Sequence, residues 1–149
     1  MEQTLVLIKP DAMQRSLAFE ILSRLERRGL RLVGLRLLQV EQPMAKKHYA
    51  EHEGKPFFAG LVTYITSSPI IAAVFEGTNA VNAVRQTIGS TNPTEASPGT
   101  IRGDFGIEIG RNLIHGSDSV ESANREIKIF FEGQSVIQWK KDTEKWVFE

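Results

Sequence analysis

The order in which strand-like and helix-like segments follow one another is the feature that most constrains the fold of this chain. Residues 4–9 form a short apolar run, partly β-branched, that stops at Pro10 as a buried strand does. Apolar residues then recur at helical spacing from Leu17 to Leu25, and Gly29 is a natural end for that helix. The same patterns predict strands at residues 30–40, 70–75 and 111–114 and helices at 44–52, 58–67 and 79–88.

A last helix is predicted from its start signal. Asp118 followed by Glu121 has the spacing of a capping box. The apolar face of this helix comprises Val120, Ala123, Ile127, Phe130 and Phe131. Segments in this order predict an α/β (α+β) sandwich with helices on one face of the sheet. We expect a single domain over residues 1–149, because a chain of this length can bury a sufficient core without a disulfide or metal.

Composition excludes several classes of function. The chain has no cysteine, which rules out disulfides, thiolate nucleophiles and cysteine-based metal sites. Lys+Arg and Asp+Glu both number 18, so the surface lacks the basic excess that binding along a nucleic acid requires, and any anion site must be a local cluster. No presequence pattern and no apolar run of about 20 residues is present, so we expect a cytoplasmic protein without a membrane partner.

His115 lies where a catalytic residue could act, between a short predicted strand and a capped helix. Gly116 allows a tight turn directly after it, and the N-terminus of the next helix offers free N–H groups to an anion. A single histidine in such a position is more often a structural residue than a catalytic one. The motif therefore leaves both interpretations open.

Three cations are candidates for an anion site. Lys9 ends the first strand, and Arg85 and Arg102 flank a polar loop, residues 89–101, that is predicted to have no secondary structure. If they converge, they could hold a polyphosphate; if they are scattered, they are ordinary surface charge. The glycine spacings match neither a Walker nor a Rossmann phosphate loop, so a nucleotide site here would be of another kind.

Four motifs resemble the nucleoside diphosphate kinase family, in that family's order and over nearly the whole chain. They are Lys9-Pro-Asp11, Tyr49 followed by Lys55-Pro-Phe-Phe-Ala-Gly-Leu61, Pro98-Gly-Thr-Ile-Arg-Gly-Asp104, and Asn112-x-x-His115-Gly-Ser-Asp118. The resemblance implies a ferredoxin-like βαββαβ fold, an antiparallel four-stranded sheet with additional helices. It also implies transfer of the γ-phosphate from a nucleoside triphosphate, mainly ATP, to a nucleoside diphosphate. The mechanism would be ping-pong through a phosphohistidine, with broad base specificity.

The resemblance also assigns roles to individual residues. His115 would be the nucleophile, and Glu126 or a backbone carbonyl would orient its ring. The matched nucleotide contacts are Lys9, Arg85, Thr91 and Arg102 at the phosphates, Phe57 stacked on the base, and Asn112 with Lys9 at the ribose. Tyr49 and Ser117 match residues that support the histidine pocket. Without the resemblance, Glu126 would be interpreted as a residue at the border of the apolar face of its helix, and Phe57 could equally be a core residue.

The implied cofactor and partners follow from the same family. Mg²⁺ would bridge the β- and γ-phosphates and arrive with the nucleotide, so no metal site in the protein itself is expected. The partners would be ATP, GTP and other nucleoside di- and triphosphates, with no nucleic acid as main ligand. A homo-oligomer is expected, with a hexamer favoured and a tetramer possible.

This chain departs from the family at two positions near Lys9. The family usually has glycine directly after Lys-Pro-Asp and again four residues later, where this chain has Ala12 and Ser16. If either position needs a positive φ, a residue with a Cβ costs about 1 kcal/mol there. We therefore expect a local adjustment of the turn after Lys9.

Three alternatives remain to be weighed. An RNA-recognition domain has the same element order, but Asp104 and Gly106 stand where its motif needs stacking aromatics. A zinc site at His48 and His52 is disfavoured because the glutamate between them is misplaced for H-E-x-x-H and His115 is the only other histidine, so two solvated surface histidines are the simpler interpretation. A scaffold that has lost activity is disfavoured because every position matched to the family's site holds the expected residue type.

Overall fold

The computed structural model describes residues 1–149 and shows a four-stranded antiparallel sheet with helices packed against it. The strands are β1 (Glu2–Ile8), β2 (Arg31–Leu38), β3 (Ile70–Gly77) and β4 (Ile114–Gly116). The helices are α1 (Pro10–Gln14), α2 (Ala18–Arg27), α3 (Gln42–His48), α4 (Phe58–Ile65), α5 (Ala80–Ile88), α6 (Ile101–Phe105) and α7 (Val120–Phe131). The spatial order of the strands is β2-β3-β1-β4, and neighbouring strands are antiparallel throughout. None of the helices combines the length and the apolar character needed to cross a bilayer.

Helices cover both faces of the sheet, so the prediction of helices on one face is wrong. Side chains alternate along a strand, and β1 therefore contributes Val6 and Ile8 to one core and Leu5 and Leu7 to the other. The first core contains the buried faces of α2 and α5, and the second contains those of α4 and α7. The central strand β3 is buried at every position, which is possible only because both faces are covered.

The fourth strand begins three residues later than predicted. Residues 109–111 form a 3₁₀ turn, and β4 begins at Ile114 because its register with β1 places His115 opposite Leu7. His115 is thus held within a hydrogen-bonded strand instead of following one. The polar loop before α6 also contains a short 3₁₀ turn, Pro93–Glu95, where no secondary structure was predicted.

The start of α7 is capped by a different residue from the one predicted. Ser119 has an extended backbone, and its hydroxyl accepts a hydrogen bond from the Ser122 amide at 3.0 Å. The capping box of Asp118 and Glu121 is therefore wrong by one residue, because serine is as good a cap as aspartate and stands next to the helix. Asp118 is left exposed at the mouth of the cavity described below.

The turn after Lys9 contains one of the two expected adjustments. Ala12 lies fully buried inside the short helix α1 and needs no positive φ. Ser16 has φ +58°, in the left-handed region that glycine adopts without cost. The strain expected from the two departures is therefore confined to Ser16.

Replacing Ser16 with glycine should raise the free energy of unfolding by about 0.5–1 kcal/mol, because relief of the left-handed conformation exceeds the added chain entropy of glycine. Denaturant titration measures the change. Ser23→Gly, within α2, is the matched control and should lower the stability by about 0.5 kcal/mol. Destabilisation by Ser16→Gly of the same size as by Ser23→Gly would show that Ser16 carries no strain.

Candidate active site

A cavity of about 410 Å³ opens beside β4, and residues distant in sequence line it. The lining includes eight of the predicted site residues: Lys9, Tyr49, Arg85, Thr91, Arg102, Asn112, His115 and Glu126. They come from the end of β1, from α5, α6, β4 and α7, and from the segments between these elements. Two predicted residues, Phe57 and Ser117, lie outside the lining, and seven residues that were not predicted, His48 and Arg125 among them, lie within it.

His115 and Glu126 form the central contact of the cavity. His115 Nε2 lies 3.1 Å from both carboxylate oxygens of Glu126. Ser117 Oγ donates to Glu126 Oε1 at 2.6 Å from the other side. Because a carboxylate accepts hydrogen bonds, the Nε2 proton is fixed by Glu126 and the lone pair of the neutral ring resides on Nδ1. The His115 side chain is 25% exposed, so its ring is accessible from the cavity.

Glu126 is a buried charge stabilised by these partners. It belongs to the buried face of α7, between Ala123 and Phe130. Burial alone would raise the pKa of Glu126, but the hydrogen bond and charge of His115 and the hydrogen bond of Ser117 lower it to about 2. The carboxylate is therefore ionised at neutral pH and holds the imidazole in one tautomer and orientation.

His48 lies behind His115, and its prediction as a solvated surface histidine is wrong. It is only 6% exposed, and its ring meets the His115 ring edge-on with centroids 4.9 Å apart. Burial is the main cause that lowers the pKa of His48 to about 3 and the charge of His115 is the next, so this ring stays neutral. Its Nδ1 lies 3.9 Å from Glu126 Oε2, which is too far for a hydrogen bond. The available signal was Ala45, one turn earlier on the same buried face of α3.

Arg102 is a buried cation held by backbone carbonyls. Its guanidinium donates to the carbonyl oxygens of Gly89 at 3.2 Å, Asn112 at 3.1 Å and Ile114 at 2.6 Å. The residue is 6% exposed, and burial, followed by the nearby charge of Arg85, lowers its pKa to about 10. Arg102 is consequently a rigid, fully charged donor on the wall of the cavity.

Lys9 and Asn112 are joined by a hydrogen bond on the wall of the cavity. Lys9 Nζ donates to Asn112 Oδ1 at 2.8 Å, and Asn112 Nδ2 donates to the Thr91 carbonyl at 3.0 Å. Burial, together with the charge of Arg102, lowers the pKa of Lys9 to about 8. Arg85 is exposed and anchored by one bond, from Nη1 to the Gly116 carbonyl at 3.1 Å.

The aromatic residues Phe57 and Tyr49 occupy different places around the cavity. Phe57 is half-exposed next to the cavity mouth, with its ring 5.3 Å from that of His52, which lines the cavity. Tyr49 packs against His48, with ring centroids 4.6 Å apart. The Phe57 ring is thus open to solvent beside the cavity, whereas the Tyr49 ring supports the His48 ring behind His115.

Comparison with known proteins agrees with this arrangement. The family description "Nucleoside diphosphate kinase" matches residues 2–136. The chain is 56% identical to the nucleoside diphosphate kinase of Staphylococcus epidermidis over 149 residues, covering 100% of both chains. The chain belongs to the nucleoside diphosphate kinase family.

More distant members of the nucleoside diphosphate kinase family agree in sequence and in structure. The Archaeoglobus fulgidus enzyme is 53% identical, covering 100% of this chain and 99% of its own. A halophilic nucleoside diphosphate kinase from Halobacterium salinarum, solved in complex with CDP, is 48% identical with a TM-score of 0.95, covering 99% of each chain. The predicted family and its four-stranded ferredoxin-like fold are confirmed.

Membership of the nucleoside diphosphate kinase family gives the activity of this chain. It is a phosphotransferase that moves the γ-phosphate of a nucleoside triphosphate to a nucleoside diphosphate by a ping-pong mechanism through a phosphohistidine, with broad base specificity. The family binds nucleotides, which agrees with a cavity rich in cationic side chains.

Proposed function

We propose that His115 carries the phosphoryl group of this kinase, on Nδ1. The observation that supports this most directly is the bond from Nε2 to Glu126, which leaves the Nδ1 lone pair free to act as the nucleophile. Glu126 also stabilises the positive charge that the ring gains on phosphorylation. No separate base is needed, because a neutral imidazole has no proton on Nδ1 to lose.

Each half of the reaction is a single displacement at phosphorus. Nδ1 of His115 forms a bond to the γ-phosphorus while the bond to the β,γ-bridging oxygen breaks, and the nucleoside diphosphate leaves with that electron pair. In the second half, a terminal β-oxygen of the acceptor attacks the phosphorus and the N–P bond breaks. The proton on Nε2 stays hydrogen-bonded to Glu126 in both halves.

Lys9, Arg85 and Arg102 are proposed to bind the phosphates, with the Thr91 hydroxyl as a further donor. Phosphoryl transfer passes through a loose transition state with charge spread over the phosphoryl oxygens, so catalysis depends on positioning and on cations. All four residues line the cavity that contains His115. Arg102, with its guanidinium already held by carbonyls, would bind with little loss of side-chain entropy.

Phe57 and Asn112 are proposed to bind the base and the ribose. The half-exposed ring of Phe57 offers a stacking face that does not read the edge of a base, which suits broad base specificity. Asn112 and Lys9 would donate to the ribose hydroxyls, and Tyr49 and Ser117 would keep the histidine in place. ATP is proposed as the main donor, with GTP and other nucleoside di- and triphosphates as further partners. The Halobacterium salinarum relative was solved in complex with CDP, a pyrimidine nucleotide.

Mg²⁺ is proposed as the cofactor, held by the nucleotide. The cavity supplies cations for phosphate oxygens, whereas its exposed carboxylates are only Glu51 and Asp118, too few to form a cage for the ion. The cluster of His48, His115 and Glu126 is rich in imidazole nitrogen, which suits softer metals than Mg²⁺. When bound to the nucleotide, Mg²⁺ would neutralise part of the negative charge of the phosphates.

The proposal is tested by labelling the enzyme. Incubation with Mg²⁺ and γ-labelled ATP should give an acid-labile, alkali-stable label that is absent from His115→Ala. His52→Ala is the matched control and should keep the label, because the His52 ring lies 3.6 Å from the Glu51 carboxylate, whereas His115 lies against Glu126. Label that persists in His115→Ala, or an acid-stable phosphoester, would contradict the mechanism.

The low pKa of Lys9 predicts an alkaline limb in the activity. Below pH 8 Lys9 is charged, and above pH 8 the nucleotide-free enzyme loses this cation. We expect kcat/KM to fall about tenfold per pH unit above that value. The fall should shift to higher pH in Lys9→Arg, whose guanidinium stays charged. A wild-type profile that remains flat to pH 10 would exclude Lys9 as a required cation.

We also propose a homo-oligomer, with a hexamer favoured over a tetramer, formed by one domain per chain in the cytoplasm. β2 is an edge strand of the sheet, and its Leu35 and Leu37 side chains are exposed, as are Phe19 on α2 and Ile107. Exposed apolar side chains on an edge strand favour contact with another chain. Sedimentation giving a monomer would contradict this proposal.

A further inference from the structure

Leu113 has an unusual backbone for its residue type. Its φ is +75°, in the left-handed region, and its side chain is fully buried between Asn112 and β4. A bulky residue rarely adopts this conformation, because the Cβ meets the backbone. Such strain persists only where surrounding contacts hold it in place.

The segment that follows β1 holds both polar backbone groups of Leu113. Its amide donates to Asp11 Oδ2 at 3.0 Å, and its carbonyl accepts from the Lys9 amide at 2.9 Å. The residues are more than 100 positions apart in the chain, with a separation of 102 for Asp11 and Leu113. A local bond from the Ile114 amide to the Asn112 carbonyl, at 2.8 Å, also closes the turn at Leu113. The strained conformation therefore depends on these tertiary contacts as well as on one local bond.

Tyr64 fixes the Asp11 carboxylate from the opposite side. The Tyr64 hydroxyl donates to Asp11 Oδ1 and accepts from the Asp11 amide at 3.1 Å. The Arg111 guanidinium lies over the Tyr64 ring, 4.3 Å from its centroid. Both oxygens of Asp11 are thus occupied, one by Tyr64 and one by Leu113.

The strained residue determines where two carbonyls point. The carbonyls of Asn112 and Ile114, on either side of Leu113, both accept from Arg102. The side chain of Asn112 in turn accepts from Lys9. If Leu113 relaxed to a negative φ, these acceptors would turn away and the guanidinium would lose its fixed position.

We propose that Asp11 and Tyr64 are positioning residues that hold Leu113 in its strained conformation and so pre-orient Arg102, Asn112 and Lys9 for the phosphates and ribose of the nucleotide. This inference rests on the nucleotide contacts proposed above. Neither residue lines the cavity of His115, so neither acts on the substrate directly. Without the pair, only a fraction of the free enzyme has the binding conformation, and the apparent affinity for nucleotide falls by that fraction.

The test compares Asp11→Asn in two backgrounds that differ only in their tolerance of a positive φ. Leu113→Ala and Leu113→Gly create similar cavities, but only alanine is strained at this φ. Asparagine cannot accept at both side-chain positions, because one of them is an amide donor. In the Leu113→Ala background, Asp11→Asn should weaken ADP binding and lower kcat/KM about tenfold, while kcat changes less than about twofold.

In the Leu113→Gly background, the same Asp11→Asn change should lower ADP affinity and kcat/KM by less than about threefold. Glycine adopts this φ without being held in place by Asp11. Tyr64→Phe provides a second route if Asp11→Asn fails to fold, and it should show the same dependence on the background. Equal losses of ADP affinity and kcat/KM in both backgrounds would indicate a purely structural role and overturn the inference. The absence of any loss in either background would overturn it as well.

The outcome separates this inference from the proposed function. If the wild-type enzyme forms the phosphohistidine and Asp11→Asn binds ADP as tightly as the wild type, the positioning role alone fails. If no label forms on His115 in the wild type, the proposed function fails, whatever the behaviour of Asp11→Asn.

Discussion

Replacement of His115 with glutamine should lower kcat for phosphoryl transfer by a factor of about 10⁵, the size of loss seen when a covalent nucleophile is removed. Glutamine still offers an amide that can donate to Glu126, so the change removes the lone pair that attacks phosphorus without leaving the buried carboxylate unpartnered. A coupled assay of nucleoside triphosphate formation measures the loss.

Nucleotide binding should survive the same substitution. The proposed phosphate contacts belong to other elements, so the dissociation constant for ADP should change by less than about fivefold, as for removal of a group that acts mainly in the transition state. The partly exposed position of His115 also predicts a small effect on the melting temperature. Retention of more than about 1% of kcat, with sequential kinetics, would indicate direct transfer between two bound nucleotides and contradict the phosphohistidine.

The element order was predictable because hydrophobic periodicity is a local property. The α2 pattern ending before Gly29 and the continuous apolar run of β3 correspond to the observed elements. Periodicity does not show which helix or strand packs against each face of an element. The run at β3 is apolar on both faces, which is a signal for helices on both sides of the sheet, but here it predicted only a strand. The position of β4 depends on pairing with β1, which no pattern near His115 encodes.

The residues of the candidate site differ in the same way: some are predictable from local motifs, and others depend on tertiary contacts that the sequence does not show. The positions of Lys9 and Arg102 along the chain make them candidates without the resemblance, and the resemblance adds Asn112. The bond between Lys9 and Asn112 spans 103 residues and has no local signal. His48 was missed because a histidine on a short polar helix gives no sign of the Phe130 ring that buries it, 5.0 Å away. The strain at Leu113 is invisible in sequence, since leucine predicts an ordinary backbone.

Replacing Arg102 with lysine should lower kcat/KM by a factor of about 10²–10³, somewhat less than the loss of an arginine that stabilises a phosphoryl transition state. Lysine keeps the charge but not the planar fork that reaches the carbonyls of Gly89, Asn112 and Ile114 together. Each buried carbonyl left without a donor costs about 1–3 kcal/mol, so the free energy of unfolding should fall as well. Initial-rate kinetics and denaturant titration measure the two effects.

The matched control is Arg85→Lys, at the same cavity but exposed and held by a single carbonyl. If a positive charge were all that the phosphates required, both lysine variants would lose activity to the same small extent. If geometry matters, Arg102→Lys should lose at least about tenfold more than Arg85→Lys, since only the buried guanidinium is fixed before the nucleotide binds. Equal losses in kcat/KM would mean that the carbonyls around Arg102 stabilise the fold without orienting a phosphate ligand, and that pre-organisation contributes little to this site.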